Sequence, residues 1–222
     1  MYYQLMETKP TSLAEYTGLQ EAYSFFNNAL FNGELPECLL TLQRKSKAYG
    51  YFSPERFAPR GDDQKHNIDE LALNPDGFLG RSDKDILGTL AHEMTHVWQA
   101  HFGDAPKRGY HDREFASKMK EIGLYPSDTG MEGGKETGRN MTHYILEDGA
   151  YAKAYAELEA TGFKLNWESV KNPAKEKAKP SKIKHTCPTC QQNTWGKSGL
   201  KVICGVCNDG NDELLMKAEE SN

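Results

Sequence analysis

The sequence predicts an α+β domain with a small metal-stapled ribbon behind it, and three observations lead there. Stretches with apolar residues at helical spacing surround three short segments of strand character. One of those helical stretches, Ser82 to His111, carries the pattern H-E-x-x-H within LAHEMTHVWQAHFG. Two C-x-x-C pairs then lie close to the C-terminal end, beyond a lysine-rich tract.

The elements follow in order. Ser12 with Glu15 three residues on reads as a capping box, and Leu13, Tyr16, Leu19, Ala22, Tyr23, Phe26, Ala29 and Leu30 recur at helical spacing. A first helix is therefore expected from about Leu13 to Phe31, ended by Gly33 and Pro36. Strands are expected around Leu39 to Gln43, Ala48 to Ser53 and Ile68 to Asn74. The polar link RKSK makes the first two a hairpin, ERFAPRGDDQKHN reads as a surface loop, and NPDG at Asn74 to Gly77 is a turn. Ser82 and Asp85 open the next helix, which runs from Asp83 to about His101 and stops at Gly103. Its Ile86, Leu87, Leu90, Ala91, Met94, Val97 and Trp98 suit a helix buried under a sheet. Asp112 caps a further helix, REFASKMKEIG. The segment Tyr125 to Arg139 is glycine-rich and reads as irregular. MTHYIL reads as a strand, Gly149 to Thr161 as a helix, and FKLNWE as another strand or extended piece.

Composition narrows the class of protein. With 37% apolar and 27% charged residues the chain is ordinary for a globular protein, and no apolar run approaches the roughly 20 residues a membrane span needs. MYYQLMETKP lacks the basic start and apolar stretch of a secretory signal, so a cytoplasmic location without membrane association is expected, near the nucleoid if the source is bacterial. In such a reducing compartment paired C-x-x-C units argue for metal rather than disulfides. Cys38, beside Leu39 and Leu40, reads as a small buried hydrophobe with no assigned function.

H-E-x-x-H on a helix sets His92 and His96 one turn apart on one face with Glu93 beside them. A catalytic zinc takes three protein ligands and keeps a fourth position open. His66, His101, His111 and His143 are the imidazoles available for the third place, along with carboxylates. His111 is preferred, because the loop after the helix can reverse direction and return its ring to the metal. His101 lies about 140 degrees round the helix from His96, which points it elsewhere. His66 and His143 read as solvent-exposed or structurally hydrogen-bonded, and Tyr110 as a packing residue, with stabilisation of an oxyanion as its alternative. Three neutral imidazoles would leave zinc its full charge, able to acidify water and polarise a carbonyl, with Glu93 placed as general base. The segment IDELALN, taken as an edge strand along the cleft, would offer a substrate a place to pair, although an ordinary core strand is an equal reading.

With H-E-x-x-H, fourteen residues, then a His within GYHDREF and a helix ending in IGL, the chain resembles the SprT-like family, which includes Spartan-type metalloproteases. AYGYF, LALNP and the C-terminal cysteine pairs extend the resemblance over most of the chain. It implies a minimal gluzincin-like zinc metallopeptidase domain over residues 1–170, with ligands His92, His96 and His111 and general base Glu93. It further implies cleavage of DNA-associated or DNA-crosslinked proteins.

Cys187, Cys190, Cys204 and Cys207, with thirteen residues between the pairs, have the layout of a zinc ribbon over residues 185–210, in which four thiolates close the shell around a structural ion. His185 reads as a bystander. Two zinc ions per chain are thus expected, one catalytic and one structural. The net charge of -5 conceals eight lysines against Glu176 alone between positions 171 and 207, beginning in a solvated linker at 171–184. Lys182, Lys184, Lys197 and Lys201 around Trp195 point to nucleic acid, with DNA of weak sequence specificity as the partner. A tail over 211–222 adds a short helix or frays. The rival expectation is a non-proteolytic nucleic-acid-binding or transcription-associated protein in which both zincs are structural.

Overall fold

A computed structural model of the protein describes residues 10–61, 67–106, 109–170, 182–208 and 215–218. The chain divides into two compact units, Met1–Lys171 and Asn172–Asn222. Mixed helices and small sheets make it α+β, as the sequence predicts. Among the described residues no helix is long and apolar enough to cross a membrane.

The first unit is built on α1 (Thr11–Phe31) and α2 (Asp83–Phe102), with α3 (Arg113–Glu121) and α4 (Ala150–Ala160) packed beside them. Leu19, Ala22, Tyr23, Phe26 and Leu30 form the buried stripe of α1, and Ile86, Leu87, Leu90, Met94 and Val97 that of α2. They meet Phe115, Met119 and Tyr151 in one core. Burial of each large apolar side chain contributes about 1.5–3 kcal/mol, so this core fixes α2 firmly before any site chemistry is considered. The N-terminus of α1 departs from expectation. Pro10 precedes the helix with no side-chain cap, and Glu15 is turned inward at 6% exposure, where burial raises its pKa.

Strands β1 (Cys38–Leu42), β2 (Gly50–Phe57) and β3 (Ile68–Leu73) form a sheet in the order β1-β3-β2. The expected hairpin of the first two strands is therefore wrong: β3 lies between them, parallel to β1 and antiparallel to β2. The reason is visible at the end of β3. Asn74 donates from Nδ2 to the carbonyls of Lys45 and Ala48, at 2.8 and 2.7 Å, and leads the RKSK link around the strand end. IDELALN is correspondingly the central strand, buried from Asp69 to Leu73, and not the edge along the cleft. Its two acids have partners: Asp69 accepts from Glu55 N at 2.7 Å and pairs with His101 at 2.6 Å, and Glu70 accepts from Thr41 Oγ1 at 2.8 Å.

After α3 the chain enters β4 (Leu124–Ser127), paired antiparallel with β5 (Thr142–Ile145). The onset of the glycine-rich stretch is therefore a strand, not irregular chain. FKLNWE forms no strand; Phe163 and Leu165 pack on the core and Leu165 N donates to Asp83 Oδ2 at 2.9 Å. The second unit contains β6 (Ile183–Thr186), β7 (Asn193–Gly196) and β8 (Lys217–Ala218) in the order β7-β6-β8. The tail thus supplies a short strand where a helix or fraying is expected from sequence. Residues 171–181, most of the basic linker, lie outside the described residues, as does His66.

Candidate active site and metal centres

Local sequence sets the site-bearing helix in register. Ser82 accepts from Asp85 N and caps α2, whose buried apolar stripe then leaves His92, Glu93 and His96 against the sheet. His111 arrives from the loop beyond. Its Nε2 lies 3.2 Å from Nε2 of His92 and 3.0 Å from Nε2 of His96. Nitrogens bound to one tetrahedral zinc at its usual bond length stand about 3.3 Å apart, so the spacing fits a shared ion. The three ligand atoms form one of two such groups among the described residues.

The protonation chemistry agrees with that fit. Burial lowers the pKa of His92 well below its ordinary value, lowers that of His96 to about 3, and lowers that of His111. All three are therefore neutral imidazoles with a lone pair to give. Phe115, wholly buried, packs against all three rings at centroid distances of 5.1, 4.3 and 4.7 Å. His111 has its tautomer fixed: Gly138 O can only accept, so the 3.1 Å contact makes His111 Nδ1–H the donor and leaves Nε2 for a metal. A two-way backbone bridge between His111 and Gly138, at 2.8 and 3.0 Å, holds the same pair together. On the other flank Asp112 caps α3 through Phe115 N at 3.0 Å and accepts from Gln99 Nε2 at 2.9 Å. Gln99 also donates to Glu114, which ties α2 directly to the start of α3.

Glu93 is buried at 6% exposure, and that burial raises its pKa to about 8 while Lys45 pulls the other way. It faces β2 at Gly50, where a Cβ would stand 3.0 Å from its Oε1. The ligand histidines and Glu93 form the floor of a cleft of about 740 Å³ bordered by Tyr49, by the start of β2 at Gly50–Phe52 and by Arg139–His143. Tyr110 lines this cleft and is 42% exposed, so it is not the packing residue expected. His143 also differs from a solvent-exposed reading: it stacks on His92 at 5.4 Å, and burial lowers its pKa to about 4. His101 points away from the cluster to Asp69.

Several of these residues escaped the sequence reading. Gly50 left a legible signal, since a glycine inside a strand often marks a close approach. Gln99 stands three residues after His96 and shares its helix face, which in principle is readable. Gly138 and His143 carry no comparable signal, because their roles depend on the pairing of β4 with β5.

In the second unit the sulfurs of Cys187, Cys190, Cys204 and Cys207 lie within 4.8 Å of one another. Cys190 and Cys204 are 3.6 Å apart, close to the roughly 3.8 Å separation of two thiolates on a tetrahedral zinc. The backbone at Cys190 and Thr189 lowers the Cys187 pKa to about 7, whereas hydrogen bonding within the cluster and burial push that of Cys207 up to about 12, so without a metal the four thiols do not all ionise together. His185 is fully buried outside this cluster. Cross-strand pairing puts Lys184 opposite Trp195, and Thr186 opposite both Asn193 and Lys217. These side chains share one face of the sheet, and Trp195 is 60% exposed there. Lys182, Lys197 and Lys201 are exposed nearby in sequence.

The SprT-like family matches over residues 19–133, which contain α2 and all three convergent histidines. A Salmonella typhimurium relative described as "Uncharacterized protein in mucB 3'region" is 45% identical over 71 residues, 32% of this chain and 92% of the relative. Family match and site geometry fall on the same segment, and the chain belongs to the SprT-like family.

Proposed function

We propose that this protein is a zinc-dependent endopeptidase that acts on DNA-associated or DNA-crosslinked proteins. The observation that carries the proposal is the buried Glu93 beside three converging neutral imidazoles at the floor of an open cleft. His92, His96 and His111 would hold the catalytic ion. When bound, zinc supplies Lewis acidity, polarising a peptide carbonyl and lowering the pKa of water. Glu93 takes the proton of the attacking water and passes it to the leaving amine. Its raised pKa makes it a stronger base than a solvated carboxylate, and the charge of an ion held by the three neutral imidazoles would favour its ionised form. The rim strand β2, an edge of its sheet, offers an extended substrate a backbone to pair with, the role that β3 cannot take from the centre.

The ribbon supports the nucleic-acid part of the reading. A base can stack on Trp195 while Lys184 and Lys217 on the same face neutralise phosphates. Such binding is weakly sequence-specific and falls steeply with salt. The test is cleavage of a protein crosslinked to DNA, with matched free protein as control, at low and high salt. Faster cleavage of the crosslinked form that fades at high salt supports the proposal. A wild-type chain that binds DNA and two zincs yet cuts neither form favours the non-proteolytic alternative.

A further inference from the structure

The metal centre leans on a segment that contributes no ligand. Residues 128–141, between β4 and β5, fold back on themselves near their start: Asp128 N donates to Lys135 O at 3.0 Å, and Lys135 N to Asp128 Oδ1 at 2.8 Å. Next comes Glu136. Its carboxylate accepts from Lys120 Nζ on α3 at 2.6 Å and from the Tyr125 hydroxyl on β4. Lys120 lies 4.6 Å over the Tyr125 ring, which stacks on Tyr144 of β5 at 5.0 Å and 17°. Two residues later Gly138 bridges His111 and accepts its Nδ1–H.

We propose that Glu136 is a positioning residue for the metal centre, anchoring this segment so that the Gly138 carbonyl keeps His111 in the tautomer that presents Nε2. Two residue steps reach at most about 7 Å, so where Glu136 is fixed largely decides where Gly138 can be. Backbone hydrogen bonds in a solvent-facing loop are individually modest and must offset the entropy of ordering the chain around them. A charge-assisted anchor on two separate elements does what the bridge alone would not. Lys120 and Tyr125 hold the Glu136 carboxyl below its ordinary pKa, so it remains ionised at neutral pH. The inference rests on the reading of His92, His96 and His111 as a metal site, though not on peptidase activity.

The experiment is a metal-binding titration of the full chain, wild type against Glu136→Ala, Glu136→Gln and Tyr125→Phe. Zinc is titrated in competition with a chromophoric chelator. Cobalt separates the two sites, since only four-thiolate coordination gives strong sulfur-to-metal charge transfer. Glu136→Ala should weaken the histidine site about tenfold, at the low end of the range for groups that orient metal ligands. The thiolate site and the unfolding midpoint of the metal-free chain should not change. Glu136→Gln, which keeps an acceptor for Tyr125, should fall between, and serves if the alanine variant does not fold; Tyr125→Phe should lose less than Glu136→Ala. Nitrogen-15 spectra of His111 should show a smaller Nδ1–H population in Glu136→Ala. Unchanged affinity and tautomer in both Glu136 variants would overturn the proposal, and so would equal losses at both metal sites. A wild-type chain that takes up metal only at its thiolates would overturn the site reading itself.

Discussion

An alanine at Gly50 would place its Cβ 2.9 Å from the Ala72 carbonyl oxygen and 3.0 Å from both Cγ and Oε1 of Glu93. Each contact is short of ordinary carbon contact by about half an ångström. The Ala72 carbonyl belongs to the central strand, pinned from both sides, so the relief must come from β2 or from Glu93. Overpacking of this kind costs about 1–3 kcal/mol of stability. A misplacement of about 1 Å at a reacting group costs on the order of 10²-fold in rate, so half that displacement implies roughly tenfold. Gly50→Ala should therefore retain its zinc, because no ligand histidine adjoins Gly50 as Glu93 does, while peptide cleavage falls about tenfold. The assay is peptide hydrolysis beside zinc content and a urea unfolding curve on one preparation. A variant as active and as stable as wild type would mean that β2 and Glu93 have room for the added methyl, and one that lost zinc in proportion to activity would move the role of Gly50 to the metal.

Other perturbations read other parts of the structure. In the metal-free chain His96 and His143 are held neutral, with pKa values of about 3 and about 4. Unfolded imidazoles titrate near 6.5, so below that pH the unfolded chain binds protons that the folded one does not. Stability is then lost as pH falls from about 6.5 toward 4, by about 2 kcal/mol per imidazole between pH 7 and 5, while Glu93, raised to about 8, gains on acidification and offsets about one imidazole, so urea midpoints of wild type and Glu93→Gln at the two pH values would separate the two. Asp112→Ala removes the α3 cap and one Gln99 partner, and should cost about 1–2 kcal/mol in thermal unfolding and loosen the zinc beside His111. Trp195→Ala should weaken single-stranded DNA binding by about 1–3 kcal/mol at any salt, whereas Lys217→Ala should flatten the salt dependence by about one phosphate contact in a fluorescence titration.

What could be read from sequence was local. Ser82 with Asp85, and Asp112 before its helix, declare helix starts within four residues, and the structure has caps at both. Apolar spacing in α2 separates the face toward the core from the face that carries His92 and His96. The choice of His111 over His101 needed only helix geometry and a loop length. The sheet order was not legible in the same way. RKSK is short enough for a hairpin, and only Asn74, twenty-six residues beyond Ala48, reveals that the link wraps the end of β3. Ser12 and Glu15 have the spacing of a capping box, but tertiary burial of Glu15 overrides it. His143 joins the site because β5 pairs with β4, a contact between residues far apart in sequence whose local patterns are weak.

If Glu93 is the base of a zinc peptidase, cleavage depends on its charge and not on its shape, which glutamine shares. The most direct measurement is peptide-bond cleavage by wild type and by Glu93→Gln, each with its zinc content determined. The expected result is equal zinc, two ions per chain, and cleavage lost by at least about 10²-fold in Glu93→Gln, as for removal of a general base. Equal cleavage by the two chains would mean that Glu93 is not the base.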